Sequence, residues 1–319
     1  MKRRIAGSTG LRVSRLGLGT LTWGRSVNRP AARELLRTFV EAGGNLIDTA
    51  AAYGSGSTEE MIGEIIMRDL SRDDLVIATK SGFVHEGGQR VMDTSRSTML
   101  RELDESLRRL RTDHVDLWQV HAWGEAPLEE TLAAFDLAVS QGKARYVGLS
   151  NFVGWQTAQA ATWQKADPNR TPIATAQIEY SLLARRSEIE VIPAARALGL
   201  GVLPWSPLGR GVLTGKYRTG TPRDSRGADE HLEWFIEPYL ETRSRAVVES
   251  VVRAAEGLDL TPAQVALLWI RDAPGVTAPL VGPRTADQLR ELLAVEDREL
   301  PGEIVDALDD VSGGPNPGR

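Results

Sequence analysis

Asn45-Leu46-Ile47-Asp48-Thr49-Ala50-Ala51-Ala52-Tyr53-Gly54 holds an apolar run too brief for a helix, closed by a carboxylate. A loop of small side chains then leads to a phenol and a glycine. A helical pattern at 30–41 stops before it at Gly43-Gly44, and another follows at 58–67. Helix, glycine stop, short buried strand, polar loop, helix is the repeating unit of a parallel α/β fold.

Working outward, the unit recurs eight times. Strands are expected at 16–19, 46–48, 75–79, 115–120, 146–150, 174–179, 201–204 and 277–281. Helices are expected near 30–41, 58–67, 95–110, 128–141, 153–165, 188–198, 244–256 and 285–293. Asn28 before Pro30, Ser57-Thr58 before Glu59-Glu60, and Ser187 before Glu188 read as N-caps. Eight such units predict an α/β chain folded as a closed (β/α)8 TIM barrel. An N-terminal hairpin at 2–15 and extra C-terminal helices, one at 261–272, are expected around it. A long loop, 206–243, follows the seventh strand. The rival doubly wound sheet opens its cofactor site with Gly-x-Gly-x-x-Gly, and Gly17-Leu18-Gly19 followed by Gly24 has the wrong spacing. Residues 1–319 read as one barrel domain, with a disordered tail at about 313–319.

Composition excludes several function classes. Net charge is −5, which argues against a non-specific nucleic-acid binder. The absence of cysteine excludes disulfides, thiolate catalysis and cysteine-ligated metals. Arg12 and Arg15 interrupt any signal-peptide core, and no apolar run approaches the roughly 20 residues that span a bilayer. A cytoplasmic protein is expected. Of the 38 basic residues, 5 are lysine, so each lysine carries more weight than a casual surface charge.

In a barrel, chemistry gathers where strands meet their following loops. Strand two ends in Asp48 with Tyr53 just beyond, strand three in Lys80, strand four in His121 and strand five in Ser150-Asn151. Strand six carries Gln177, strand seven ends in Trp205-Ser206, and strand eight runs into Gly282-Pro283-Arg284. Each alone reads as readily as a cap or a solvated charge; together they converge on one rim. Lys80 beside Tyr53 is expected to lower the phenol pKa, with Asp48 holding Lys80 in place. A neutral His121 would orient a carbonyl oxygen, and Tyr53 would protonate it as general acid. The set lacks a nucleophile, and a nicotinamide hydride would supply one.

At these residues the chain resembles the aldo-keto reductases. The resemblance rests on Asp48, Tyr53, Lys80 and His121; Gly148-Leu149-Ser150-Asn151-Phe152; Gln177-Ile178-Glu179-Tyr180-Ser181-Leu182-Leu183; Pro204-Trp205-Ser206-Pro207-Leu208-Gly209-Arg210-Gly211 with Leu213-Thr214-Gly215-Lys216-Tyr217 after it; and Val281-Gly282-Pro283-Arg284-Thr285-Ala286-Asp287-Gln288-Leu289. It is similar to the branch that includes bacterial reductases and potassium-channel β subunits. The resemblance implies NADPH as cofactor. Ser150, Asn151 and Gln177 would hold the carboxamide, and Trp205 would stack on the nicotinamide. Ser206, Pro207, Leu208, Gly209 and Gly211 would wrap the pyrophosphate with Lys216 nearby. Arg284 and Gln288 would contact the 2′-phosphate and Glu291 the adenine. Thr20, Leu21, Trp23, Asp48 and Gly282 complete the expected cofactor set. A guanidinium before a helix N-terminus suits a phosphate on chemical grounds as well.

A small carbonyl compound is the expected partner, with no nucleic acid and no membrane; a homo-oligomer is compatible with the family. Trp23, Tyr53, Phe83, His85, His121, Trp123 and Trp234 are expected to line the substrate pocket, an aromatic wall suited to a bulky or flat carbonyl. The branch also implies an alternative, a nicotinamide-sensing binding subunit with vestigial turnover. Leu292 and Gly124 depart from the family pattern, which usually has Asn and an acidic residue there. Gly209 to Tyr217 is a near miss for a P-loop, because Tyr217 replaces the magnesium-binding hydroxyl. No histidine pair has metal spacing, so no metal site is expected.

Overall fold

Eight parallel strands close into a barrel: β1 (Gly17–Gly19), β2 (Leu46–Asp48), β3 (Val76–Ser81), β4 (Val115–Val120), β5 (Ala144–Ser150), β6 (Ile173–Glu179), β7 (Gly201–Trp205) and β8 (Leu280–Val281). Each pairs in parallel with the next in sequence, and β8 pairs with β1 to close the ring. The structure, a computed structural model, describes residues 1–86, 89–222, 225–228 and 233–313, without the side chains of 85, 86, 226, 233 and 235. The expected tail therefore falls mostly outside the described residues.

Helices α1 (Arg29–Glu41), α2 (Ser57–Asp69), α3 (Arg96–Leu110), α4 (Leu128–Ser140), α5 (Gly154–Lys165) and α6 (Val191–Leu198) link the first seven strands. After β7 come α7 (Thr242–Leu258) and α8 (Pro262–Arg271), and after β8 α9 (Ala286–Leu293) and α10 (Gly302–Ser312). α1 shows why the pattern was readable. Ala32, Leu35, Leu36 and Phe39 form one buried stripe, Asn28 accepts from the Ala31 N–H, and Pro30 sits in the first turn.

Period-two alternation divides each barrel strand between two cores. Ile47, Ile77, Trp118, Val147, Ile178, Val202 and Val281 face the helices in the large outer core. Leu46, Val76, Ala78, Leu117, Leu203 and Leu280 fill the barrel interior. The N-terminal hairpin, Arg3–Ile5 against Arg12–Ser14, closes the interior from below with Ala6, Leu11 and Val13. Two residues further along each inward row stand Asp48, Lys80, Gln119 and Trp205. The interior is therefore apolar at its base and polar at the C-terminal mouth, and that change positions the site.

Four details differ from expectation. Ser57-Thr58 is not the cap of α2: Gly56, at φ 94°, precedes the helix, and the Ser57 hydroxyl donates back to Gly54 O at 2.8 Å. Ser187 lies in a 3-10 turn, so α6 begins at Val191 rather than near 188. β8 spans two residues rather than five, because Pro279 has no N–H for a ladder. A second hairpin, Phe83–Glu86 against Gln89–Met92, rises directly after β3 and was not anticipated.

Candidate active site

At the barrel mouth the parallel register places Asp48 level with Ala78, and Lys80 level with Gln119. Lys80 lies two residues beyond Ala78 on the same inward face. Its ammonium reaches back to donate to Asp48 Oδ2 at 2.6 Å, Thr49 O at 2.8 Å and Tyr53 Oη at 3.4 Å. Lys80 and Asp48 are 1% and 3% exposed, which makes this a buried ion pair with a phenol as its third member. Gln177 Nε2 donates to the other Asp48 oxygen at 2.7 Å, so both carboxylate oxygens are engaged.

Tyr53 is half-buried and meets His121 edge to face, with centroids 5.9 Å apart. Its electrostatics correct the expected lowering of its pKa. Burial raises the phenol above its ordinary value and outweighs the opposing field of Lys80, while the Asp48 charge raises it further. Tyr53 is thus a firmly protonated donor at neutral pH. Burial alone would pull the Lys80 ammonium down, but Asp48 and Tyr53 together hold it above the ordinary lysine value. His121 is lowered well below the usual range by burial, with Lys80 and Arg90 adding to the effect. It is neutral, and its Nδ1 has no partner among the described residues.

These groups open into a cavity of about 740 Å³ that is also lined by Arg284, just before α9, and by Gln288 and Glu291 on α9. Ser150, Asn151, Gln177 and Trp205 line its middle. Asn151 donates to His121 O at 2.9 Å and to Ser150 Oγ at 3.1 Å, and accepts from Trp205 Nε1 at 2.9 Å, so one amide locks three strand ends. Asn151, Ser206 and Arg210 take positive φ without being glycine, and all three line the cavity. Backbone strain of this kind collects at functional sites. Gly211, at φ 95°, lies beneath Lys216; a Cβ there would come 3.2 Å from Lys216 Nζ. The Gln288 side chain accepts from the Arg284 N–H at 2.9 Å, and Thr285 caps α9 through the Gln288 N–H. A larger cleft of about 1060 Å³ lies on the flank beside α6, α8 and α10, and none of these residues line it.

Of the expected cofactor residues, Thr20, Leu21, Ser206, Pro207, Leu208 and Gly282 also line the cavity. Gly209 is buried beneath it and does not. Trp23 is corrected: it is fully buried in the outer core and does not line this cavity. Trp123 also stands back, packed against Phe152 and Trp155. Phe83 and Trp234 do line the cavity, whereas the His85 side chain lies outside the described residues. Leu292 lines it as well, so an apolar group replaces the usual amide. The departure at Gly124 has a steric cause: a Cβ there would run into the Thr94 side chain, leaving no room for a carboxylate.

Sequence reading missed three residues near the site. Gln119 continues the inward row of Leu117 and is fully buried below Gln177, a position that period two alone would have revealed. Arg210 pairs with Glu179 through two 2.9 Å bonds and fixes the loop after β7. Arg90, on the unanticipated hairpin, also lines the cavity.

Comparison with known proteins agrees with this geometry. Residues 15–312 match the Aldo/keto reductase family. The chain is 37% identical over 329 residues to the "Uncharacterized oxidoreductase YrpG" of Bacillus subtilis (strain 168), covering 99% of this chain and 97% of that protein. It is 34% identical over 331 residues to the "Probable voltage-gated potassium channel subunit beta" of Oryza sativa subsp. japonica, covering 98% and 96%. Among the described residues no helix is long and apolar enough to cross a membrane. A closed eight-stranded barrel, a lysine–carboxylate–phenol cluster at its mouth and a family match along nearly the whole chain lead to one assignment: this is an oxidoreductase of the aldo/keto reductase family.

Proposed function

We propose that the protein reduces an aldehyde or ketone to an alcohol with NADPH, Tyr53 serving as general acid. The observation that carries the reading is the hydrogen-bonded chain Asp48–Lys80–Tyr53 beside a neutral His121, in a cavity of about 740 Å³ that Arg284, Gln288 and Glu291 also line. The residues along it suit that cofactor: Ser150 and Gln177 for a carboxamide, Trp205 for a flat ring, the strained turn with Gly211 and Lys216 for a pyrophosphate, and Arg284 for a 2′-phosphate. When bound, the cofactor supplies a hydride to the carbonyl carbon. His121 hydrogen-bonds the carbonyl oxygen and aims it at Tyr53 Oη. As the oxygen gains charge, Tyr53 hands over its proton, and Lys80 at 3.4 Å stabilises the phenolate left behind. Asp48 keeps Lys80 charged, and Gln177 keeps Asp48 in place.

Two variants test the reading. Tyr53→Phe should lower kcat by at least about 10²-fold while NADPH still binds, followed by quenching of tryptophan fluorescence. Normal turnover would remove Tyr53 from its role. Arg284→Met should weaken NADPH about 10- to 100-fold and NADH far less, in keeping with one lost charge-assisted contact. Equal weakening of both would remove the 2′-phosphate contact assigned to Arg284. The likeness to a channel β subunit favours a second reading, a cofactor-sensing subunit; saturable NADPH binding with no turnover across a carbonyl panel would favour that one.

A further inference from the structure

Arg90 stands on the hairpin that rises from β3 through Gly82. Gly82 takes φ 113°, and its N–H donates to the buried Glu102 carboxylate at 2.6 Å, which anchors the hairpin where it leaves the barrel. From there the hairpin brings Phe83 and Arg90 into the wall of the cavity that holds Tyr53 and His121. The Arg90 guanidinium lies 3.7 Å above the Phe83 ring, and Phe83 in turn meets His121 edge to face at 4.8 Å. The positive charge is close enough to oppose protonation of His121 and to favour the Tyr53 phenolate.

Stacking occupies the flat face of a guanidinium and leaves its in-plane N–H fork directed outward. Arg210 and Arg185 turn their forks onto carboxylates, Glu179 and Glu188. Arg90 is exposed and makes no ion pair and no hydrogen bond with any described side chain, while partial desolvation on the cavity side lowers its pKa. The carboxylate whose field reaches it, Glu102, is engaged by the Gly82 N–H. The cations expected to serve cofactor phosphates, Lys216 and Arg284, belong to the loop after β7 and the start of α9. Arg90 instead joins the cavity on the side of Tyr53 and His121, where the substrate is reduced.

We propose that Arg90 is a specificity residue that selects carbonyl substrates carrying a compact oxyanion, held by the guanidinium fork while the carbonyl oxygen sits between Tyr53 and His121. This rests on the reading of the cavity as a carbonyl-reduction site. The stack on Phe83 fixes the plane of the fork, so a planar, bidentate anion is met without reorganisation. Neutral carbonyls of equal size reach the same chemistry without that anchor.

The test compares near-isosteric probes, 4-carboxybenzaldehyde and 4-nitrobenzaldehyde, with wild type, Arg90→Lys and Arg90→Met. The wild type should favour the carboxylate in kcat/KM, mainly through KM, and Arg90→Met should lower the carboxylate-to-nitro ratio about 10- to 100-fold, with Arg90→Lys between. Glyceraldehyde 3-phosphate against glyceraldehyde tells a phosphate preference from a carboxylate one. A ratio unchanged by Arg90→Met overturns the proposal and leaves the reductase reading intact. Calorimetry on NADP⁺-loaded protein compares 4-(hydroxymethyl)benzoate with 4-nitrobenzyl alcohol and decides the role of Arg90 by binding alone. If no aldehyde is turned over, the reductase reading fails, and the calorimetric ratio still supports or refutes the anion site.

Discussion

Replacing Asp48 by asparagine removes the countercharge of an ammonium that is 1% exposed. At 2.6 Å and an effective dielectric of about 20, the gross attraction lost is about 6 kcal/mol. Lys80 keeps Thr49 O at 2.8 Å and Tyr53 Oη at 3.4 Å, which soften the loss. Breaking one side of a buried pair costs about 3–5 kcal/mol, and those remaining acceptors place this case near the lower end. Lys80 and Gln177 donate to different oxygens of Asp48, and the amide turns one of these into an NH2 donor, so one of the two short bonds is forfeited. Without Asp48, burial, the largest single influence on Lys80, is expected to outweigh Tyr53 and pull the Lys80 pKa below its unfolded value. The unfolded chain then binds more protons between the two values, so the variant regains stability as pH rises through that window. Urea unfolding followed by circular dichroism at pH 7 and at higher pH measures both effects. Asp48→Asn/Lys80→Met removes both charges and should be more stable than Asp48→Asn alone. A single variant within about 0.5 kcal/mol of wild type, or a double variant whose cost is the sum of the two singles, would refute the coupling.

Glu102 offers a second pH test. Burial raises its carboxyl from 4.5 to about 7, against the Gly82 N–H bond and the charges of Arg101 and Arg109. The native state binds the extra proton between those values, so Glu102 makes stability fall as pH rises from about 4.5 to 7, by at most about 3 kcal/mol. Glu102→Gln should remove that fall and be the more stable protein at pH 8; identical urea-midpoint profiles for the two proteins would exclude it. Gly63 lies in α2 where that helix touches α3, and a Cβ there would collide with Arg109 O and come 2.8 Å from the Leu110 carbonyl carbon. The overpacking cost of about 1–3 kcal/mol exceeds the helix-propensity gain of about 1 kcal/mol, so Gly63→Ala should lower the unfolding midpoint. A raised midpoint would show that α2 and α3 separate freely.

Asp48, Lys80, His121, Ser150 and Gln177 were legible because each closes or lies on a short apolar strand. A strand of period two in a closed barrel leaves few directions for its last inward residue. Tyr53 was legible from its glycine and its distance from Asp48. Trp23 was not: its loop is polar and glycine-bearing, yet Thr58 and the outer core close over it. Ser57 and Ser187 carry the chemistry of caps, but Ser57 is already the first residue of α2 and Ser187 lies in a turn before α6, and neither side chain caps its helix.

The linear chain therefore determined the eight-unit barrel, the rim and the ionisable types on it, because these depend on local period and on strand ends. Three things awaited tertiary structure. The Tyr53 pKa depends on how completely the barrel mouth excludes water, and burial there outweighs the nearby lysine. The place of Arg90 depends on a hairpin set by Gly82 and an acid twenty residues away on α3. The space at Gly124 depends on Thr94, thirty residues earlier. In each case the deciding group is distant in sequence, and only folding brings it within reach.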